Sequence, residues 1–125
     1  MRLVWSDGGY PSDGAYLEYH RLSQNGMRLW SISGAPYDRP AAAKRASEHA
    51  ASFLAAVRDR LERHRSETGR RGLCVFAIDT ELLGHWWSEG AAWLSEVVEG
   101  AEAAGVRLLT ATEALAGHEP VEGPI

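Results

Sequence analysis

The chain has 125 residues, 45% of them hydrophobic, which suits one ordinary domain burying roughly two-thirds of its unfolded surface. A net charge of −4 and a pI near 5.7 argue against a nucleic-acid partner, because phosphate binding needs a basic face. The amino terminus has no basic stretch leading into an apolar one, and no window approaches the ~20 apolar residues of a membrane span, so neither a leader nor a membrane partner is expected.

In chain order, Leu3-Val4-Trp5 predicts a short first strand. The Gly- and Pro-rich stretch from Gly8 to Gly14 predicts a loop, with Ser12 or Asp13 capping a helix that begins near Ala15 and stops at Asn25-Gly26. Arg28 to Ser33 alternates polar and apolar residues, as in a strand with one exposed face. Asp38 or Arg39 starts a long helix with Pro40 in its first turn, running to about Thr68, with Ala50, Phe53, Leu54, Val57 and Leu61 on one face. Between Arg58 and Arg71 the basic residues alternate with Asp59, Glu62 and Glu67, which predicts a solvated face.

Leu73 to Ile78 is apolar throughout, the mark of a strand buried on both faces. Cys74, the only cysteine, lies inside it and is expected in the core of a protein in a reducing compartment, with the cytoplasm as the default address. Trp93, Leu94, Val97, Val98 and Ala101 mark a helix ending at Gly105, and Val106 to Leu109 a further strand. Thr110 and Glu113 form a capping box for a short helix over 111–116. The fold class expected is α/β: about four mostly parallel strands with flanking helices over residues 1–116, too few to close a barrel, and a loose tail over 117–125.

In parallel α/β architectures the reactive groups sit at the carboxyl ends of strands, and Asp79 follows the apolar run directly. Glu81, His85, Trp86 and Trp87 come within eight residues of it. Indole faces beside a carboxylate suit sugar rings, and one of the paired tryptophans is expected to serve the core instead. Asp79, Glu81 and His85 are chemically able to hold a cation, but His85 has no second histidine at helical spacing, so no metal is expected. There is no glycine-rich phosphate loop and no nucleophile elbow, so no cofactor is expected and no serine chemistry. His20, His49, His64 and His118 are expected on the surface.

The run Ile78-Asp79-Thr80-Glu81-Leu82-Leu83-Gly84-His85-Trp86-Trp87-Ser88-Glu89-Gly90, followed by Trp93-Leu94, resembles the fourth signature region of glycoside hydrolase family 57, most closely that of its 1,4-α-glucan branching enzymes. Val4-Trp5-Ser6 with Gly9-Tyr10-Pro11 and Asp13, and Leu29-Trp30 to Tyr37-Asp38, are similar to the family in the same order, so the resemblance covers residues from about 3 to 116. It implies part of a distorted (β/α)7 barrel and a retaining mechanism on an α-glucan such as glycogen or a maltooligosaccharide. It places the acid/base at Asp79 and sugar contacts at Trp5, Trp86, Trp87, His85 and Glu81. The family's nucleophile is a glutamate on an earlier barrel strand, ahead of this chain's first residue, and Glu81 does not match it.

Three readings follow from that partial match. The chain is a segment of a glucan-active enzyme that needs an upstream polypeptide to complete its barrel. Alternatively, it is a glucan-binding module that has lost its chemistry, or an assembly module whose open edge docks another chain.

Overall fold

The computed structural model describes residues 9–118. The strand expected at Leu3-Val4-Trp5, and Trp5 itself, lie outside them.

The organising element is the helix α1, Arg39–Thr68. Its start follows from Asp38, whose carboxylate accepts the Ala41 N–H at 3.1 Å, and from Pro40, whose missing N–H costs nothing in a first turn. Its end follows from Gly69, which takes the left-handed conformation (φ 69°) that a side chain would resist. The face turned inward carries Ala42, Ala46 and Ala50, then Phe53, Leu54 and Val57, with Leu61 half-buried beyond them. Phe53 meets Trp93 of α2, Gly90–Gly100, at 5.2 Å between ring centroids, and Val97 of α2 joins the same core. The short helix α3, Ala111–Gly117, opens on the expected capping box: the Thr110 hydroxyl accepts the Glu113 N–H while the Glu113 carboxylate accepts the Thr110 N–H at 2.8 Å.

The α/β expectation does not hold. Among the described residues there is no strand and no sheet, only three isolated bridges, so the chain is helical, not a partial (β/α)7 barrel of parallel strands. A strand is a pairwise structure that exists only where a neighbour supplies the other half of each hydrogen bond. Leu73 to Ile78 makes no backbone hydrogen bond to another described residue, and Val75 stands 79% exposed with Leu73 and Phe76 also exposed. Cys74 is half-buried. Residues 106–109 likewise form no strand, and Leu108 is exposed.

The helix expected from Ala15 to Asn25 is absent as well. Residues 14–18 instead run antiparallel to 30–33: Ile32 N–H donates to the Tyr16 carbonyl at 2.8 Å, Glu18 N–H to Trp30 at 2.9 Å, and Ser33 N–H to Gly14 at 3.0 Å. The chain reverses at 23–27, around Gly26 (φ 73°). Asp13, expected as a helix cap, closes a turn through the Ala15 N–H at 3.0 Å, the competing use of a short acidic side chain. The segment 28–33 therefore pairs antiparallel, and its partner is this hairpin-like arm.

Candidate functional site

Asp79 opens a single 3-10 turn, Thr80–Leu82, by accepting the Glu81 N–H on its side chain at 3.1 Å. The loop then closes on itself: Trp87 N–H donates to the Leu82 carbonyl at 2.9 Å and Gly84 N–H to the Trp87 carbonyl at 2.8 Å. Gly84 makes this possible with φ 88°. The closure sends Leu82 and Trp87 inward and leaves His85 and Trp86 outside.

The two tryptophans therefore part company. Trp87 is 1% exposed and packs between Tyr16, at 5.5 Å, and Trp93, at 5.3 Å, while Trp86 is 46% exposed. Gly90 permits this, since a Cβ there would come within 3.0 Å of the Trp87 ring and 3.1 Å of Leu83. Of the residues predicted for sugar contact, Glu81, His85 and Trp86 share the exposed side of the loop, with Asp79 also exposed at its start. His85 Nε2 stands 3.8 Å from Glu81 Oε1. Among the described residues no three His, Cys, Asp or Glu side chains gather as a metal site would need.

Sequence reasoning missed the residues that the arm brings here. Tyr19 Oη lies 2.9 Å from His85 Nε2, and its ring centroid is 4.9 Å from that of Trp86. His20 lies against Trp86 at 5.7 Å. Arg28 braces Tyr19 twice, with its guanidinium 4.2 Å over the ring and its Nε donating to the Tyr19 carbonyl at 2.9 Å. Leu17, Tyr19 and Arg28 of the arm and Gly84, His85 and Ser88 of the loop line a cleft of about 180 Å³.

Beneath this surface Glu89 joins arm to loop. It is 7% exposed, and its Oε1 accepts both the Leu17 N–H at 3.2 Å and the Tyr37 hydroxyl at 2.7 Å. Its Oε2 is buried with no partner among the described residues. Burial, followed by the Glu89 contact, pushes the Tyr37 hydroxyl well above its ordinary value.

His49 corrects the expectation of a surface residue. Its side chain is 12% exposed, Tyr10 stacks on it at 4.4 Å, and Nδ1 lies 2.8 Å from the Tyr16 hydroxyl. Burial, then the Arg45 charge, lowers its pKa. Burial alone would raise Asp13, but the Ala15 N–H and the Arg45 guanidinium, 2.8 Å away, outweigh it and hold that carboxyl below its ordinary value. No spacing rule reaches the contacts of Asp13 with Arg45, Tyr16 with His49, Tyr19 with His85 and Glu89 with Leu17 and Tyr37, which join residues 32 to 72 positions apart. Glu89 alone carried a signal, as an acid enclosed by Trp86, Trp87, Trp93 and Leu94 in the sequence.

No family model matches the chain. Individual proteins do. The probable 1,4-α-glucan branching enzyme of Mycobacterium tuberculosis is 38% identical over 134 residues, spanning 97% of this chain and 26% of that protein. The family 57 branching enzyme of Thermococcus kodakaraensis, solved in complex with glucose, superimposes with a TM-score of 0.88 at 35% identity, over 95% of this chain and 24% of that one. The family 57-type branching enzyme of Pyrococcus horikoshii gives 0.84 at 38% identity, over 90% and 22%.

The resemblance to glycoside hydrolase family 57 is thus shown. More narrowly, the chain is homologous to a segment of that family's branching enzymes, and it spans about a quarter of the length of the relatives it matches. Among the described residues no helix is long and apolar enough to cross a membrane.

Proposed function

We propose that the chain is the acid/base-bearing segment of a retaining α-glucan enzyme of the 1,4-α-glucan branching type. The observation that carries this reading is the Asp79–Gly90 loop, which leaves Asp79, Glu81, His85 and Trp86 exposed in a chain 38% identical to a branching enzyme. Asp79 would protonate the glycosidic oxygen as a second carboxylate attacks the anomeric carbon. It would then take a proton from the acceptor hydroxyl that displaces that carboxylate. Trp86 offers an indole face to the sugar, His85 and Glu81 offer hydrogen bonds, and Trp5 is the further aromatic contact of this reading; Trp87 belongs to the core. A half-buried lone cysteine suits a reducing compartment, which makes the cytoplasm the proposed location.

Retention needs the second carboxyl group about 5–5.5 Å from the first. Glu81 faces His85 and Glu89 is engaged inside, so we assign the nucleophile to a part of a family 57 enzyme outside these 125 residues. Assays of branching and hydrolysis on amylose, with and without a polypeptide supplying the rest of a family 57 branching enzyme, test this. Activity is expected only from the combination, and clear turnover by the lone chain would overturn the division of the site. A binding-only or assembly role has one observation in its favour, the exposed apolar stretch Leu73, Val75 and Phe76. Glucan binding without turnover in the combined protein would decide for it.

A further inference from the structure

We propose that Tyr19 is a positioning residue of the glucan site: it sets the His85 ring and the Trp86 indole in the loop after Asp79, and Glu89 holds it there through the arm. The functional half of this inference rests on the glucan reading, whereas the geometric half does not.

Tyr19 is placed to orient, not to stack on a sugar itself. Arg28 covers its ring at 4.2 Å and Trp86 meets it at 4.9 Å, so both neighbours compete with a ligand for its faces. What remains is its hydroxyl, 2.9 Å from His85 Nε2, and its edge, which walls the cleft that His85 and Ser88 also line. A tyrosine hydroxyl can donate or accept; we assign it as the donor to Nε2, which fills that lone pair and leaves the ring proton of the neutral imidazole on Nδ1. That choice matters because Glu81 Oε1 lies 3.8 Å from the same Nε2 and would otherwise attract an Nε2 proton. His85 is thereby presented with an Nδ1–H donor, and Trp86 is held at 5.4 Å from it. Tyr19 keeps its own place because Leu17, two residues earlier, is tied to the buried Glu89, and because Arg28 grips its carbonyl at 2.9 Å.

The test compares the wild-type chain with Tyr19→Phe and Tyr19→Leu. Nitrogen NMR of the labelled histidine rings reads the tautomer of His85 directly, with His49, His64 and His118 as internal references. The Phe variant keeps the ring and the fold, and its His85 should shift from the Nδ1–H toward the Nε2–H form, which a merely structural role would not produce. Tryptophan fluorescence titrated with maltoheptaose should show binding weakened roughly tenfold in the Leu variant, as expected for a displaced contact. Unchanged His85 nitrogens in Tyr19→Phe, or wild-type affinity in Tyr19→Leu, would overturn the proposal. If the wild-type chain, alone and combined, binds no maltoheptaose, the glucan reading falls and the functional half with it. The ring nitrogens would still decide whether Tyr19 orients His85.

Discussion

Replacing Glu89 with alanine removes the carboxylate that ties the arm to the Asp79 loop, and the structure sets the size of the effect. Two hydrogen bonds to one charged oxygen are lost, from the Leu17 N–H and the Tyr37 hydroxyl. At about 1.5–3 kcal/mol each, the loss is about 3–6 kcal/mol. Against it, Oε2 is buried without a partner among the described residues, and deleting that orphaned group recovers about 1–3 kcal/mol. The net cost is about 2 kcal/mol, which for a chain of this size lowers Tm by about 6–12 °C. Glu89→Gln keeps the accepting oxygen and should cost about 1 kcal/mol. Thermal unfolding followed by far-ultraviolet circular dichroism measures both. An alanine variant that melts within ~1 °C of wild type would show that Glu89 does not clamp the arm, and the route from Glu89 to Tyr19 would fail.

The two tryptophans should separate under substitution: Trp87→Ala, in the core, should cost about 3–5 kcal/mol by urea unfolding, whereas Trp86→Ala should leave stability within about 0.5 kcal/mol and abolish quenching by maltooligosaccharides. Equal stability losses would contradict the placement of the loop. Gly90→Ala puts a Cβ 3.0 Å from the Trp87 ring and should destabilise by about 1–3 kcal/mol, again by urea unfolding, with a neutral result counting against that packing. The folded chain holds His49 neutral below its ordinary 6.5 while the unfolded chain protonates it, so its contribution is present above that pH and is lost as pH falls through the lowered folded value. Asp13 adds a second loss below its ordinary 3.8, and the sign is the same. Urea midpoints should therefore drop as pH falls below the ordinary histidine value of 6.5, and His49→Gln should flatten that drop. A wild-type midpoint that stays constant as pH falls would refute the assignment.

The helices were legible because their signals are local. Asp38, Pro40 and Gly69 fix α1, and Thr110 with Glu113 fixes the start of α3, all within a few residues of the backbone they satisfy. The strands were not, because Leu73 to Ile78 has the composition of a central strand and composition supplies no neighbour to pair with. The arm was misread for a different reason. Asp13 and Asn25-Gly26 serve turns as readily as helix ends, and only the pairing of 14–18 with 30–33 decides between them. At the site, Asp79, Glu81, His85 and Trp86 were visible as a contiguous motif. Leu17, Tyr19 and Tyr37 meet the Asp79 loop across 52 to 72 residues of chain, and Arg28 reaches Tyr19 through a chain reversal, which no periodicity records.

Whether Asp79 is the acid/base of a glucan-active enzyme is decided by turnover of Asp79→Asn in the chain combined with a polypeptide supplying the rest of a family 57 branching enzyme. Asparagine keeps the size of the side chain and can still accept the Glu81 N–H that Asp79 accepts at 3.1 Å, so the loop should stay folded. Branching and hydrolysis of amylose should be abolished while maltoheptaose binding stays within about twofold of wild type, since the proton is needed only in the transition state. Substantial turnover of natural glucan by the Asn variant would contradict it.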